Sequence, residues 1–336
     1  MMHRRVTVML HELALMRRCI LIWLSALLLP LAVAHAETVY VTLEQEGAIA
    51  ALEGSTGKVI RKVPVGKRPR GIALSHDRSQ LFVAVSDSHV IRILDARTLK
   101  RVGDLPSGND PETFALSSDG SRLYVSNEDD HQVSVVDVRA RKRIGTVEVG
   151  IEPEGIAASP DGRWVVSASE TSNMAHWIAT DNLTIRDNTL LDPRPRGVTF
   201  SHDGRQLWIS SEIAGSVQVF DVESRRLLKR IQFEIPAVTR EKIQPVGIAL
   251  TRDGRHAYVA LGPANRIAVI DAGSFEVRDY LLVGQRVWNL ALSPDESRLY
   301  TANGLSNDVS IIRLPDHKVE KSVVVGQLPW GLAVLP

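Results

Sequence analysis

Short apolar stretches separated by polar turns recur along the chain from residue 38 to its end. In one unit the apolar run 71–74 follows a proline as the first strand, and the next unit supplies the second, third and fourth strands at 123–125, 133–136 and 143–149. These runs are rich in the β-branched and aromatic residues that suit a pleated sheet, and no stretch shows a sustained helical period. The pattern predicts an all-β protein built from units of four short strands.

The units repeat at a fixed spacing, which two independent markers show. A turn aspartate recurs in steps of 42, 42, 42, 50 and 42, at Asp77, Asp119, Asp161, Asp203, Asp253 and Asp295. A proline keeps the same register, with valine in its one missing slot, at Pro69, Pro111, Pro153, Pro195, Pro245, Val287 and Pro329. Periods in the low forties with strand-like content are typical of propeller blades.

The two ends of the chain each supply part of a unit. Only one strand, 331–335, follows the last proline, whereas 38–42, 48–52 and 59–65 resemble the second, third and fourth strands of a unit. Pairing the ends completes the ring and removes exposed sheet edges. We therefore predict a seven-bladed β-propeller of four-stranded blades, closed by a composite N- and C-terminal blade in a 1+3 arrangement.

The single long step in the period inserts about eight residues at 233–243. A tolerated surface loop and a lid over the channel mouth both explain such an insertion. The sequence leaves these two interpretations open.

The N-terminus has the features of a secretory signal peptide. Starting at Met16, two arginines precede the apolar stretch 19–33, and Ala34, His35 and Ala36 form a small-x-small cleavage pattern. We expect residues 1–36 to be removed after Ala36, leaving 37–336 as a single propeller domain in the periplasm. The stretch is shorter than the roughly 20 residues that span a bilayer, so no membrane span is expected after cleavage.

Removing these residues changes the charge and the cysteine inventory. The one cysteine, Cys19, leaves with the signal, and the formal net charge falls from +1 to about −2. A near-neutral surface argues against binding to the phosphates of nucleic acid, which requires clustered Lys and Arg. We expect a monomer.

Candidate functional residues lie on one rim of the propeller. The loops joining strand 4 to the next strand 1, and strand 2 to strand 3, emerge on the same face, and there the repeats differ most. The candidates are Arg68, Arg70, Glu112, Glu128, Glu154, Glu170, Arg194, Arg196, Glu212, Arg286, Trp288, Asn303 and Trp330. The arginines suit a carboxylate or phosphate group, and the tryptophans offer a flat apolar wall. Alternatively, Arg and Glu pair across the mouth and the tryptophans plug it.

Metal and enzyme motifs are not evident. His176 occupies a variable third-strand slot, and the acidic run 128–131 lacks calcium-loop or zinc spacing. Covalent-haem, zinc-protease, phosphate-loop and nucleophile-elbow motifs are missing. We expect no metal and no bound cofactor, and favour a binding protein over an enzyme. Propeller enzymes gather catalytic residues from several blades, so catalysis stays open.

Two levels of family resemblance follow from these repeats. LYVSN at 123–127 and VSVVD at 133–137 resemble the YVTN family of β-propeller repeats. Blade-specific stretches resemble the periplasmic β-propeller proteins associated with pyrroloquinoline quinone (PQQ)-dependent catabolism: GKRPRGIAL at 66–74, SETSNMAH at 169–176, ALGPANR at 260–266 and VGQRVW at 283–288.

The resemblance implies a setting and no reaction. It implies an accessory or binding role in quinoprotein alcohol oxidation, with a quinoprotein alcohol dehydrogenase, a cytochrome or a transporter component as partner. PQQ is linked only through this association. A lactonase-like or other propeller hydrolase is the first alternative, and a nucleic-acid or cell-surface binding YVTN protein is the second.

Overall fold

The computed structural model describes residues 37–336, which form seven four-stranded antiparallel sheets arranged as the blades of a propeller. The predicted signal peptide lies outside the described residues. Helix within 37–336 is limited to two short 3₁₀ turns, Ser86–Ser88 and Arg240–Lys242. The predicted fold class is confirmed.

Each blade is a meander whose strands are named in chain order. Blade 1 contains β28 (Pro329–Leu335), β1 (Thr38–Leu43), β2 (Ala48–Glu53) and β3 (Val59–Pro64), and blade 2 contains β4 (Pro69–Leu74), β5 (Gln80–Val85), β6 (Val90–Asp95) and β7 (Arg101–Pro106). Blade 3 contains β8 (Pro111–Leu116), β9 (Arg122–Asn127), β10 (Gln132–Asp137) and β11 (Lys142–Glu148), and blade 4 contains β12 (Pro153–Ala158), β13 (Trp164–Ser169), β14 (Met174–Ala179) and β15 (Thr184–Leu190).

The remaining blades follow the same order from the inner to the outer strand. Blade 5 contains β16 (Pro195–Phe200), β17 (Gln206–Ser211), β18 (Ser216–Asp221) and β19 (Leu227–Gln232), and blade 6 contains β20 (Ile248–Leu250), β21 (His256–Ala260), β22 (Arg266–Asp271) and β23 (Glu276–Leu282). Blade 7 contains β24 (Val287–Leu292), β25 (Arg298–Asn303), β26 (Asp308–Arg313) and β27 (Lys318–Val324).

The ring closes through the two ends of the described chain, as predicted. β28 pairs antiparallel with β1, and Tyr40 lies opposite Ala333 in this ladder. The pairing satisfies backbone groups that would otherwise form an exposed inner edge of blade 1. The hydroxyl of Tyr300 also donates to the carboxylate of Glu37, which anchors the start of the described chain to blade 7.

The core lies between blades and follows one large-to-small rule. A fully buried side chain recurs on the second strand of each blade; it is aromatic in six blades and valine in blade 4, at Tyr40, Phe82, Tyr124, Val166, Trp208, Tyr258 and Tyr300. Its cross-strand neighbour on the inner strand is small in every blade, at Ala333, Ala73, Ala115, Ala157, Thr199, Ala249 and Ala291. The space between blades narrows toward the axis, so small residues fit inside and large residues fill the wider layer.

The turn aspartates hold the tight turns on the opposite face from the candidate rim. The Asp77 carboxylate accepts the Ser75 hydroxyl at 2.5 Å and the backbone N–H of Ser79 at 3.0 Å. These hydrogen bonds lower the pKa of Asp77 to about 2. The next residue, Arg78, has a left-handed φ of 60°, which glycine adopts more easily in most of the other turns.

The 233–243 insertion is part of the packed structure. Phe233, Ile235 and Ile243 are buried in the hydrophobic layer between blades 5 and 6. Its end continues into Gln244, whose side chain reaches the rim. Both ends of the segment therefore pack into the wall, whereas most of 236–242 is exposed. No helix within residues 37–336 is long and apolar enough to cross a membrane.

Candidate functional site

The site is built from one repeated position, the residue after the proline at the start of each inner strand. Around the ring this position holds Arg70, Glu112, Glu154, Arg196, Val246, Trp288 and Trp330. Six of the residues two places earlier have a left-handed φ: Arg68, Asp110, Glu152, Arg194, Arg286 and Leu328. This conformation recurs in most blades, so it belongs to the scaffold, and it brings both positions to the same rim.

The first group of charged residues, called the Arg70 cluster, comprises Glu44, Arg68, Arg70, Asp110 and Glu112. Arg70 contacts the carboxylate of Glu112 and lies 3.1 Å from that of Glu44. Arg68 lies 3.3 Å from carboxylate oxygens of both Asp110 and Glu112. Because Glu112 is fully buried, its charge depends on these two arginines.

The second group, called the Arg196 cluster, comprises Glu154, Glu170, Arg194, Arg196, Glu212 and Arg286. Arg196 is buried, and its Nη1 lies 2.8 Å from Glu154, contacts Glu170 and lies 3.8 Å from Glu212.

The two outer arginines of the Arg196 cluster enclose the same carboxylates. Nε of Arg194 lies 3.1 Å from Glu170 and 3.0 Å from Glu212, and Nη2 of Arg286 lies 3.0 Å from Glu212. Nη1 of Arg286 donates to Gln244 at the end of the insertion. The cluster thus joins side chains from blades 4, 5 and 7 and is braced by the insertion.

The deepest carboxylates are hard to ionise. Burial raises the pKa of Glu154 well above its ordinary 4.5, and Glu170 beside it adds to the rise, although Arg196 opposes it. Burial likewise raises the pKa of Glu112, which Arg70 opposes and neighbouring acids reinforce. For Arg196, burial opposes the charge, but the surrounding glutamates outweigh it and raise its pKa. The arginines stay charged, and the crowded glutamates favour holding a proton.

The tryptophans of the rim contact arginines. The guanidinium of Arg286 lies 4.2 Å from the ring centre of Trp288, and that of Arg196 lies 5.9 Å from it. Arg70 lies 5.8 Å from the ring centre of Trp330, which is only 5% exposed. Trp288 is more accessible than Trp330, so it is the better candidate for contact with a ligand.

Two other sequence candidates occupy different surroundings. Asn303 is fully buried, and its amide donates to Asp308 at 2.6 Å and to Ser310 at 2.9 Å. It therefore braces the loop that follows β25. Glu128 lies beside Asp110 and Glu112, close enough that one carboxylate oxygen from each falls within 4.8 Å of the others. Arg68 already contacts two of these three acids, which offsets their charge.

The third-strand histidine has a structural role. Nε2 of His176 accepts the backbone N–H of Gly150 at 2.8 Å, and Nδ1 lies 2.7 Å from the Asn188 side-chain oxygen. Gln218 and Ser310 hold the same slot in other blades and accept backbone N–H groups of their own 4–1 loops. Burial lowers the pKa of His176, which keeps it neutral.

Three residues of the site are not among the candidates predicted from the sequence. Glu44 has the same loop register as Glu128 and Glu170, and Asp110 has the same register as Arg68. These shared registers were available as signals. Gln244 carried none, because it lies at the end of the irregular insertion.

The rim face is acidic as a whole. Outside the insertion, its loops and ring position carry thirteen acids, Glu44, Glu46, Asp87, Asp110, Glu112, Glu128, Asp129, Asp130, Glu152, Glu154, Glu170, Asp192 and Glu212. Against these stand six bases, Lys67, Arg68, Arg70, Arg194, Arg196 and Arg286. The face therefore repels polyanions.

Comparison with known proteins indicates a β-propeller family. Residues 193–327 match the family model described as lactonase, 7-bladed β-propeller, and residues 76–184 match that of the cytochrome D1 heme domain. Each match covers less than half of the chain. Comparison with curated proteins finds no significant match.

Solved structures share the fold at low sequence identity. A functionally unknown protein from Desulfotomaculum acetoxidans DSM 771 is 17% identical with a TM-score of 0.77, covering 88% of this chain and 98% of its own. A putative 6-phosphogluconolactonase from Bacteroides uniformis ATCC 8492 is 16% identical with a TM-score of 0.74, covering 90% and 100%. Kuenenia stuttgartiensis hydrazine synthase is 23% identical with a TM-score of 0.54, covering 73% and 95%.

Proposed function

We propose that this protein binds a small molecule at the mouth of its channel, through the Arg196 cluster and Trp288. The observation that carries the proposal is the buried Arg196 guanidinium held among three glutamates at the rim. Buried ion pairs contribute little net stability compared with apolar packing, and perturbed carboxyl groups gather at functional sites. A scaffold that needed only a plug would be served better by apolar side chains.

A thermal-shift screen of small acids, lactones, quinones and nucleotides tests this proposal. A ligand that raises the melting temperature of the wild type should lose its effect in Arg196→Lys, Arg286→Lys or Trp288→Ala. Arg205→Lys is the matched control, because Arg205 is exposed on the turn of the opposite face. Stabilisation that survives all three rim substitutions would place binding elsewhere.

Hydrolysis of a lactone is the second candidate function. The lactonase match includes Arg194, Arg196, Glu212 and Arg286. The carboxylate of Glu212 can accept a proton from water that attacks a lactone carbonyl. Protonated Glu154 can then give its proton to the ring oxygen as the ring C–O bond breaks. Hydrolysis of δ-gluconolactone or dihydrocoumarin above the spontaneous rate, lost in Glu154→Gln, would support this candidate. A rate equal to the blank would exclude both substrates.

The cellular setting rests on sequence resemblance. We propose a periplasmic accessory role in PQQ-dependent alcohol oxidation, supported by the blade-specific stretches at 66–74 and 169–176. Affinity capture from cells grown on a short alcohol should recover a quinoprotein dehydrogenase, cytochrome or transporter component. Recovery that is equal in cells grown on an unrelated carbon source would contradict this role. The acidic rim disfavours the nucleic-acid alternative.

A further inference from the structure

One edge of the Arg196 guanidinium lacks acceptors. In each of the three ion pairs of this residue, the closest approach to the glutamate is made by Nη1. Nε is buried without a hydrogen-bond partner, and Nη2 donates no hydrogen bond to any residue in 37–336. The side chain is 7% exposed. A buried N–H without an acceptor has lost its hydrogen bonds to water with no replacement, so its retention calls for a partner.

A second unpaired donor lies two blades further around the ring. Nδ2 of Asn289, on β24, is buried without a hydrogen-bond partner. A Cβ on Gly247 would meet the Oδ1 of Asn289 at 2.8 Å, which places the amide against the inner end of blade 6.

The repeat makes this asparagine unusual. The same position is glycine in five blades, Gly71, Gly155, Gly197, Gly247 and Gly331, and threonine in one, Thr113. Thr113 donates to the backbone carbonyl of Glu154, so its polar group is satisfied. Asn289 is therefore not required by the scaffold.

Trp288 and a short side chain complete the surroundings. Trp288 precedes Asn289 on β24, and Arg196 lies 5.9 Å from its ring centre. Blade 6 lies between the blades of Arg196 and Trp288, and at the ring position it contributes only Val246. This is the one ring position that carries neither a charged nor an aromatic side chain.

The chemistry of these groups selects an oxygen acceptor. The Nε and Nη2 edge of an arginine matches the two oxygens of a carboxylate in a bidentate pair. The glutamates on Nη1 orient the guanidinium and leave this edge free. When Glu154 holds its proton, the three arginines of the cluster outnumber the other two glutamates, so the immediate surroundings favour an anion.

We propose that Arg196 and Asn289 form a subsite for the carboxylate of a ligand whose flat apolar part packs against Trp288. The subsite rests on the proposed function and adds the ligand class to it. The carboxylate pairs with the free edge of Arg196, and the Asn289 amide donates to one of its oxygens.

Calorimetric titration with three probes of one size tests the subsite: benzoate, benzamide and benzylamine. The wild type should bind benzoate more tightly than the other two. Arg196→Lys keeps the charge but removes the two-donor edge, and should weaken benzoate binding at least about tenfold. Asn289→Gly restores the residue of the other blades, and should weaken benzoate binding several-fold while the melting temperature stays close to the wild type.

The control and the outcomes separate the subsite from the proposed function. Arg205→Lys should bind benzoate as the wild type does. Benzoate binding that is unchanged in both Arg196→Lys and Asn289→Gly would overturn the subsite. Loss of that binding in Arg70→Ala would then still support a ligand at the mouth. Preference for benzylamine or benzamide over benzoate would also overturn the carboxylate subsite and leave the mouth as a binding site. No binding of benzoate to the wild type would overturn the subsite, whereas the wider thermal-shift screen decides the proposed function.

Discussion

Arg196 of blade 5 and Glu154 of blade 4 lie 2.8 Å apart at the channel mouth, and both are buried. They come from the same position of adjacent repeats, 42 residues apart. The repeat thus determines where these two residues lie, and the difference in residue type between the two repeats makes one side chain basic and the other acidic. Because Glu170 and Glu212 share the same guanidinium, the pair is part of a cluster that has more acids around Arg196 than Arg196 alone can neutralise.

Replacing Glu154 with Gln should change how stability depends on pH. Burial raises the pKa of Glu154 in the folded protein, so the folded state binds its proton more tightly than the unfolded state does. The stabilisation that comes from protonated Glu154 is fully present below the pKa of about 4.5 in the unfolded state, and it is lost as pH rises through the pKa in the folded state. Compared with Glu154→Gln, the wild type should therefore lose stability as pH rises.

Urea unfolding between pH 4 and 9 measures this difference. Glu223→Gln, an exposed change, serves as the control and should follow the wild type. A deficit of Glu154→Gln that grows as pH rises would show instead that ionised Glu154 stabilises the fold through Arg196.

His176→Gln should make the protein less sensitive to mild acid. Burial lowers the pKa of His176 in the folded state, so its contribution is present above the unfolded pKa of about 6.5 and is lost as pH falls through the folded pKa. Glutamine accepts the equivalent backbone N–H in blade 5, at Gln218. Melting temperatures from pH 8 to pH 5 should fall less in His176→Gln than in the wild type. The exposed change His202→Gln should behave like the wild type, and equal slopes in all three proteins would contradict a titrating His176.

Alanine substitutions of two tryptophans should have different effects, one mainly on stability and the other mainly on ligand binding. Trp208 is fully buried between blades 5 and 6, so Trp208→Ala should cost about 3–5 kcal/mol of unfolding free energy. Trp288 lies at the rim, and Trp288→Ala should cost much less while weakening ligand binding. Chemical denaturation and ligand titration of both variants test this contrast. A large loss of stability in Trp288→Ala would identify that side chain as a structural plug.

Removing β28 should open the ring. A chain that ends at Val325 lacks the strand that pairs with β1, so blade 1 would expose its inner edge and the layer beside Tyr40. We expect aggregation or loss of cooperative unfolding, measured by size-exclusion chromatography and thermal melting. Removal of Pro336 alone is the control. A soluble, cooperatively folding truncated protein would contradict closure through the termini.

The fold could be predicted from the sequence because the same packing of side chains recurs in every blade. The Asp and Pro registers mark the turns, and Tyr40, Trp208 and their equivalents recur with the same spacing as those turns. The 1+3 closure was predicted from the single strand left over at the C-terminal end and the three strands left over at the N-terminal end. Local patterns of this kind depend on neighbours within one blade, which sequence spacing describes well.

The site was only partly predictable, because its contacts cross between blades. The repeat register predicted that Arg196 and Glu212 lie at the rim. It did not predict the ion pair between Arg286 and Glu212, which joins blade 7 to blade 5. The register also placed Asn303 at the rim, but its amide donates a hydrogen bond to Asp308. The reach and rotamer of a long side chain decide such contacts, and neither is set by spacing along the chain.

The dissociation constant of a ligand identified in the thermal-shift screen, compared between Arg196→Lys and Arg205→Lys, tests the central claim most directly. Both substitutions keep one positive charge in blade 5, but only the first lies at the channel mouth. We expect at least about tenfold weaker binding in Arg196→Lys and wild-type binding in Arg205→Lys. Equal dissociation constants in the two variants would contradict a binding site at the Arg196 cluster.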